Sequence, residues 1–144
     1  MNAGAIDAAS IPQIELFELV NSCGERTVLD RVDLHVAMSE VICLIGASGS
    51  GKSTLLRCCN LLEPIDDGYI HLDGVDISEP GLDPDPIRRR IGMVFQSYNL
   101  FPHMDVMRNV TIGPMRVLGE SEATAKRAAG DLRDDVGRAD KGAA

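Results

Sequence analysis

Two features that many functional classes require are missing from this sequence of 144 residues: a long apolar run and an excess of positive charge. No stretch approaches the roughly 18 consecutive apolar residues of a membrane-spanning helix, and residues 1–10 lack the basic start and apolar core of an export signal. We therefore expect no direct insertion into a membrane. The formal net charge of −8 argues against nucleic acid as a partner, because neutralising phosphates requires a basic surface.

The basic residues cluster at one place, the run Arg88, Arg89 and Arg90. Short runs of this kind usually form a solvated helix face or contact an acidic neighbour. We interpret the run in that way rather than as a nucleic-acid site.

The four cysteines do not have the spacing of metal ligands. Cys58 and Cys59 are adjacent, which makes a disulfide between them difficult, and a reducing cytosol fits this pattern best. Cys43 lies inside the apolar run of residues 41–45, so we expect it to be buried. His103 has no second histidine or carboxylate cluster beside it, and we predict no metal site there.

Length and composition predict one domain at residues 13–144, preceded by a flexible tail at residues 1–12. Strands are expected at residues 14–20 and 29–36 around a turn at 21–25, and the dipeptide Asp73-Gly74 predicts a hairpin over residues 69–77. The continuous apolar runs at residues 41–45 and 91–95 are typical of parallel strands that are buried on both faces.

Helical patterns occupy most of the remaining chain. We predict a largely buried helix at residues 53–63, a short helical piece at 87–90, and a helix at 106–118 that is interrupted by Gly113-Pro114. Ser121 can cap a last helix whose apolar stripe consists of Ala125, Ala129, Leu132 and Val136. The predicted fold class is therefore α/β.

The segment between the first apolar run and the helix at residue 53 carries the strongest functional signal. It satisfies the pattern G-x-x-x-x-G-K-S/T, the Walker A or P-loop motif, in the strand–loop–helix setting that this motif requires. Small residues let successive backbone N–H groups turn inward around phosphates, Lys52 would reach the β- and γ-phosphates, and Ser53 would bind Mg²⁺. The predicted nucleotide-binding residues are Gly46, Ala47, Ser48, Gly49, Ser50, Gly51, Lys52, Ser53 and Thr54.

One set of motifs runs through the chain: the P-loop as far as Arg57, residues 60–64, Gly68, residues 72–77, and residues 89–96, which end on Gln96. This set resembles the ATP-binding subunits of ABC transporters, and residues 99–103 (Asn-Leu-Phe-Pro-His) are similar to the bacterial branch that imports polar amino acids. The resemblance covers residues 14–141. It implies a P-loop NTPase core with an antiparallel β subdomain, residues 13–144 being the amino-terminal part of an ABC ATP-binding domain.

The resemblance also implies a function. Such a subunit binds ATP with Mg²⁺ and pairs with a second ATP-binding subunit. It docks on transmembrane permease subunits at the inner, cytoplasmic face of the plasma membrane and powers solute import. Gln96 matches the glutamine that contacts Mg²⁺ and the attacking water, so it is the catalytic candidate and, with Ser53, a metal-ligand candidate. Residues 97–103 lie in the region that receives the permease.

Two of the departures from the family bear directly on its expected function. Cys23 stands where an aromatic residue usually stacks on adenine, which is expected to weaken adenine binding by ~1–3 kcal/mol. The L-S-G-G-Q signature, the Asp-Glu pair after four apolar residues and the switch histidine do not occur in the 144 residues. We therefore expect this chain alone to bind ATP without hydrolysing it.

Three hypotheses stay open. The chain is an amino-terminal portion of an amino-acid importer ATPase, or a non-catalytic ATP-binding or interaction protein that docks on a permease, or a soluble ATPase or kinase unrelated to transport. The third would need its own acidic magnesium ligand, and none can be assigned from the sequence.

Overall fold

The computed structural model describes residues 12–135, and the chain divides after Gly92 into two compact units. The first unit begins with the antiparallel strands β1 (Ile14–Cys23) and β2 (Arg26–Val36). The turn predicted over residues 21–25 is shorter in the structure, because pairing continues to Cys23 and Arg26. Gly24, with a φ of +62°, lets the chain reverse in two residues.

A second hairpin joins the other edge of β1. It consists of β3 (Asp67–Leu72) and β4 (Val75–Asp76), and the sheet order is β2-β1-β3-β4. Asp73 and Gly74 have φ angles of +51° and +77°, the positive values that a type I′ turn requires at both central positions. The hairpin predicted from Asp73-Gly74 is confirmed.

One face of this sheet is covered by α1 (Lys52–Cys59). The helix ends at Cys59, four residues before the predicted end at residue 63, because Leu61 turns into the left-handed region with a φ of +59°. The prediction that this helix is largely buried holds for three of its residues and not for Leu56, which is 53% exposed. The core consists of Leu16, Leu19, Leu29, Leu55, Cys58, Cys59, Ile70, Leu72 and Ile77.

The short helix α2 (Asp85–Arg88) begins and ends two residues earlier than predicted. The Arg88 guanidinium donates hydrogen bonds to the carbonyls of Leu61, at 2.7 Å, and of Asn60, at 3.4 Å, and so ties α2 to the end of α1. Arg90 forms an ion pair with Asp73. The interpretation of the arginine run as a structural feature with an acidic neighbour agrees with these contacts.

The prediction of parallel strands at residues 41–45 and 91–95 is wrong within the described part of the chain, residues 12–135. Residues 41–45 and 91–95 run without strand pairing, and Val41, Ile45 and Val94 are 92%, 94% and 86% exposed. A strand exists only where a neighbour takes up its N–H and C=O groups, and no strand within the described residues runs beside either segment. Cys43 is exposed for the same reason, contrary to the prediction that it is buried.

The second unit contains α3 (Val106–Val117) and α4 (Glu122–Asp135). The interruption predicted at Gly113-Pro114 is wrong: α3 continues through Pro114, which removes one i→i−4 hydrogen bond without ending the helix. Ser121 caps α4 as predicted, its Oγ accepting from the Thr124 N–H at 3.2 Å. Ala125 and Ala129 are buried, whereas Leu132 is 59% exposed.

Two of the predictions concern the ends of the chain. Apart from Pro12, the predicted tail at residues 1–12 lies outside the described residues, as does Val136 of the predicted stripe. The Gln13 N–H donates to the Val36 carbonyl at 2.8 Å. Between residues 12 and 135, none of the helices has the length and apolarity needed to cross a bilayer.

Gly68 offers a test of the sheet. Its φ is +91°, and a Cβ there would lie 2.6 Å from the backbone oxygens of Phe17 and Glu18, where β1 bulges. We expect Gly68→Ala to lower the free energy of unfolding by about 2–4 kcal/mol in urea titrations. Gly24→Ala is the matched control, because that site has positive φ but open space around it, and we expect it to lose only about 1 kcal/mol. Equal losses would contradict the described packing at Gly68.

Candidate nucleotide-binding site

The glycine-rich loop reverses direction through two left-handed glycines. Gly49 and Gly51 have φ angles of +77° and +91°, which residues with a Cβ rarely adopt. The Ser50 N–H donates to the Ala47 carbonyl at 3.3 Å and closes the turn at its tip. The loop therefore has a defined backbone conformation that depends on its glycines.

Gly51 also fixes where the loop lies. A Cβ on this residue would be 3.1 Å from both the Leu29 side chain and the Val28 carbonyl of β2, closer than ordinary van der Waals contact. The Gly51 carbonyl accepts from the Leu55 N–H at 2.8 Å, the first turn of α1, and Leu55 is buried in the core. The end of the loop is thus held between β2 and α1.

Lys52 is folded over the loop. Its Nζ donates to the carbonyls of Gly46 at 2.8 Å and Ala47 at 2.7 Å, and to Ser50 Oγ at 3.2 Å. A Cβ on Gly46 would lie 2.8 Å from Ser50 Oγ, so the Ser50 hydroxyl would have to move from its present position. The three bonds hold the positive charge of Lys52 on the loop. From this position Lys52 can exchange these oxygen partners for phosphate oxygens.

The amino terminus of α1 completes the site. It carries no acidic residue in its first turn, and no side chain caps it. Its first N–H groups and the positive end of the helix dipole are therefore available to an anion. Ser53 is exposed and Thr54 is half-buried in this turn, which adds hydroxyl groups to the same region.

These donors fit a polyphosphate. The site combines an ammonium group, a helix amino terminus and backbone N–H groups, with glycines at 46, 49 and 51. Within residues 12–135, no three His, Cys, Asp or Glu residues are arranged to hold a metal ion. The Ser53 hydroxyl is an oxygen ligand of the kind that Mg²⁺ prefers.

Gln96 belongs to the second unit, whereas the loop belongs to the first. It is exposed and stands at the start of a turn in which the Tyr98 N–H donates to the Phe95 carbonyl at 3.0 Å. The structure thus brings the P-loop residues together with one another, and the role of Gln96 stays a prediction. Cys23 is exposed at the end of β1.

Sequence reasoning missed the contact of Gly51 with Val28 and Leu29. These residues are more than twenty positions apart, and nothing in the local pattern indicates that they meet. The motif explains this glycine through phosphate binding alone, whereas its lack of a Cβ also serves packing against β2.

The fold and loop define a class, the ATP-binding cassette. The solved dimeric structure of the ATP-binding cassette MJ0796 in a post-hydrolysis state bound to ADP and Pi superimposes with a TM-score of 0.71 at 26% identity, covering 84% of this chain and 56% of that one. Another dimeric structure of the same cassette gives 0.72 at 28% identity, with the same coverage.

The sequence comparison gives the family. The family model described as ABC transporter matches residues 29–142, and the chain belongs to this family. It is 44% identical over 128 residues to the glutamine transport ATP-binding protein GlnQ of Escherichia coli, covering 89% of this chain and 53% of that protein. It is 46% identical to GlnQ of Geobacillus stearothermophilus, covering 82% of this chain and 49% of that protein. It is 41% identical to the arginine transport ATP-binding protein ArtM of Bacillus subtilis, covering 89% of this chain and 53% of that protein.

The resemblance drawn from the motifs is therefore confirmed, as is the α/β P-loop cassette fold with its antiparallel subdomain. The chain spans about half the length of the curated relatives it matches.

The reactivity of Cys58 and Cys59 reports whether α1, which follows the loop, packs on the sheet. Burial, followed by the neighbouring Cys59, raises the pKa of Cys58 from 9.0 to about 11, and burial also raises the pKa of Cys59. We expect a thiol reagent at about pH 8 to modify the exposed Cys23 and Cys43 rapidly, and Cys58 and Cys59 only after denaturation.

The pH dependence follows from the same shift. The folded protein holds the Cys58 proton more tightly than the unfolded chain does. The contribution of Cys58 to the free energy of unfolding is therefore complete below pH 9 and is lost as the pH rises towards about 11. Rapid reaction of all four thiols in the native protein would contradict the packing of α1 on the sheet.

Proposed function

We propose that this chain acts in the ATP-binding subunit of an ABC importer for polar amino acids, where ATP binding and hydrolysis are coupled to transport. The observation that carries the proposal is the P-loop between β2 and α1, with Lys52 bonded to the Gly46 and Ala47 carbonyls. The relatives named for glutamine and arginine transport support the substrate class.

The chemistry proposed for the site uses the chain's own groups. Lys52 exchanges its hydrogen bonds to the loop carbonyls for bonds to the β- and γ-phosphates of ATP, while loop N–H groups and the start of α1 bind the remaining phosphate oxygens. Ser53 would offer its hydroxyl to Mg²⁺, an ion that would neutralise phosphate charge. We assign Gln96 as the residue that contacts this ion and the attacking water.

The proposed partners are transmembrane permease subunits and a second ATP-binding subunit. The cassette MJ0796 was solved as a dimer, which supports pairing of two such subunits. The proposed location is cytoplasmic, peripheral on the inner face of the plasma membrane, with no nucleic-acid partner. Residues 97–103 are the proposed contact with the permease.

These 144 residues contain neither L-S-G-G-Q nor an Asp-Glu pair. The second candidate function is a non-catalytic ATP-binding protein that docks on a permease. Phosphate release during incubation with Mg-ATP separates the two. Turnover would support the enzyme, whereas binding without turnover, together with permease binding, would support the non-catalytic protein.

Lys52 provides the test of nucleotide binding. Lys52→Ala removes charge-assisted hydrogen bonds worth about 1.5–3 kcal/mol each, so we expect Mg-ATP affinity, measured by isothermal titration calorimetry, to fall at least about tenfold.

Arg57→Ala is the matched control. It also removes one positive charge from α1, but Arg57 lies in the exposed last turn, about 7 Å along the axis from Lys52. We expect its affinity to stay within about twofold of wild type. Equal losses for the two variants would show that binding depends on net charge and not on the loop, against the proposal.

A further inference from the structure

A single side chain closes the segment that precedes α3. Asn109 lies in the first turn of this helix, and its Nδ2 is 2.9 Å from the Met104 carbonyl, 3.0 Å from the Asp105 carbonyl and 3.2 Å from the Phe101 carbonyl. Its Oδ1 accepts a hydrogen bond from the Phe101 N–H at 2.8 Å. One carboxamide therefore binds the backbone at both ends of residues 101–105.

Other bonds reinforce the same loop. The Met104 N–H donates to the Phe101 carbonyl at 3.1 Å, and the Asp105 carboxylate caps α3 by accepting from the Arg108 N–H at 2.6 Å. Both backbone polar groups of Phe101 are satisfied within the protein, although the loop lies at the surface. Such a loop loses little conformational entropy on binding, because its backbone is already fixed.

The fixed backbone holds apolar side chains towards solvent. Leu100 is 68% and Phe101 is 45% exposed. The Phe101 ring lies edge-on to the His103 ring, with 6.0 Å between their centroids. Adjacent exposed apolar groups on an ordered loop are characteristic of a surface that contacts another protein.

We propose that Asn109 is the positioning residue of this contact: its carboxamide holds residues 101–105 in the conformation that the permease recognises, without touching the permease. This inference rests on the proposed function. An asparagine suits the position because the site needs a donor and an acceptor on one short side chain. Aspartate would keep the acceptor for the Phe101 N–H but would place an anionic oxygen among three carbonyl oxygens.

The loop is tested by amide hydrogen exchange on the full chain. In Asn109→Ala and Asn109→Asp, we expect the Phe101 amide to exchange at least about tenfold faster than in wild type, because it loses its partner or the loop around it opens. Alanine favours helix more than asparagine does, so the helical circular-dichroism signal of the chain should be retained in Asn109→Ala. Unchanged exchange at Phe101 in both variants would overturn the proposal.

Thr111→Val is the control. Thr111 is a buried residue of the same helix whose hydroxyl donates to the Met107 carbonyl at 2.8 Å, within α3 and not to the loop. We expect this variant to leave the exchange of Phe101 at the wild-type rate. Equal acceleration in Thr111→Val would assign the effect to helix stability and would count against a role in positioning.

Partner binding separates this inference from the proposed function. The probe is the detergent-solubilised permease of the Escherichia coli glutamine transporter, whose ATP-binding protein is 44% identical to this chain. We expect Asn109→Ala to bind it at least about tenfold more weakly than wild type and Thr111→Val, with unchanged Mg-ATP affinity.

Wild-type affinity in Asn109→Ala, despite an opened loop, would overturn the role of Asn109 while leaving the proposed function intact. No permease binding by wild type would overturn the permease contact of the proposed function, and with it the partner named for Asn109.

Discussion

The contact of Gly51 with β2 is the constraint on which the candidate site depends. A Cβ on Gly51 would lie 3.1 Å from both the Val28 carbonyl and the Leu29 side chain, so any larger residue would require β2 to give by a few tenths of an ångström. The same approach places α1 against the sheet, where Leu55, Cys58 and Cys59 enter the core. The conformation of the phosphate loop is therefore set by the β1–β2 hairpin as much as by its own glycines.

The electrostatics of the site follow from this placement. Although the chain has a net charge of −8, the first turn of α1 contains no acid. The Lys52 ammonium group is held on the loop by hydrogen bonds to two carbonyls and to the Ser50 hydroxyl. An anion approaching the loop meets donors whose positions are already fixed. Preorganisation of this kind lowers the cost of binding, since only Lys52 needs to exchange partners.

Features that depend on a few neighbouring residues could be predicted from the sequence. The Asp73-Gly74 turn follows from the need for positive φ, and the Ser121 cap follows from a hydroxyl three residues before the Thr124 N–H. The Walker A motif is likewise local, and the motifs around it indicate the family that the family model confirms.

Features that depend on distant partners could not be predicted. Residues 41–45 have the composition of a buried strand, but composition does not supply the neighbouring strand, and Val41 is 92% exposed in the structure. The contact of Gly51 with Leu29 and the four contacts of the Asn109 carboxamide have no local signal either. The sequence therefore indicated the phosphate-binding chemistry, while the placement of the loop required tertiary structure.

The central claim is that the loop held by β2 and α1 binds Mg-ATP. The most direct measurement is the thermal unfolding of the wild-type chain, followed by circular dichroism with and without Mg-ATP. At a nucleotide concentration 100 times the dissociation constant, binding to the folded state stabilises it by about 2.7 kcal/mol, so the account predicts a higher midpoint that rises further with added nucleotide. A cooperative transition whose midpoint does not change at any Mg-ATP concentration would contradict it.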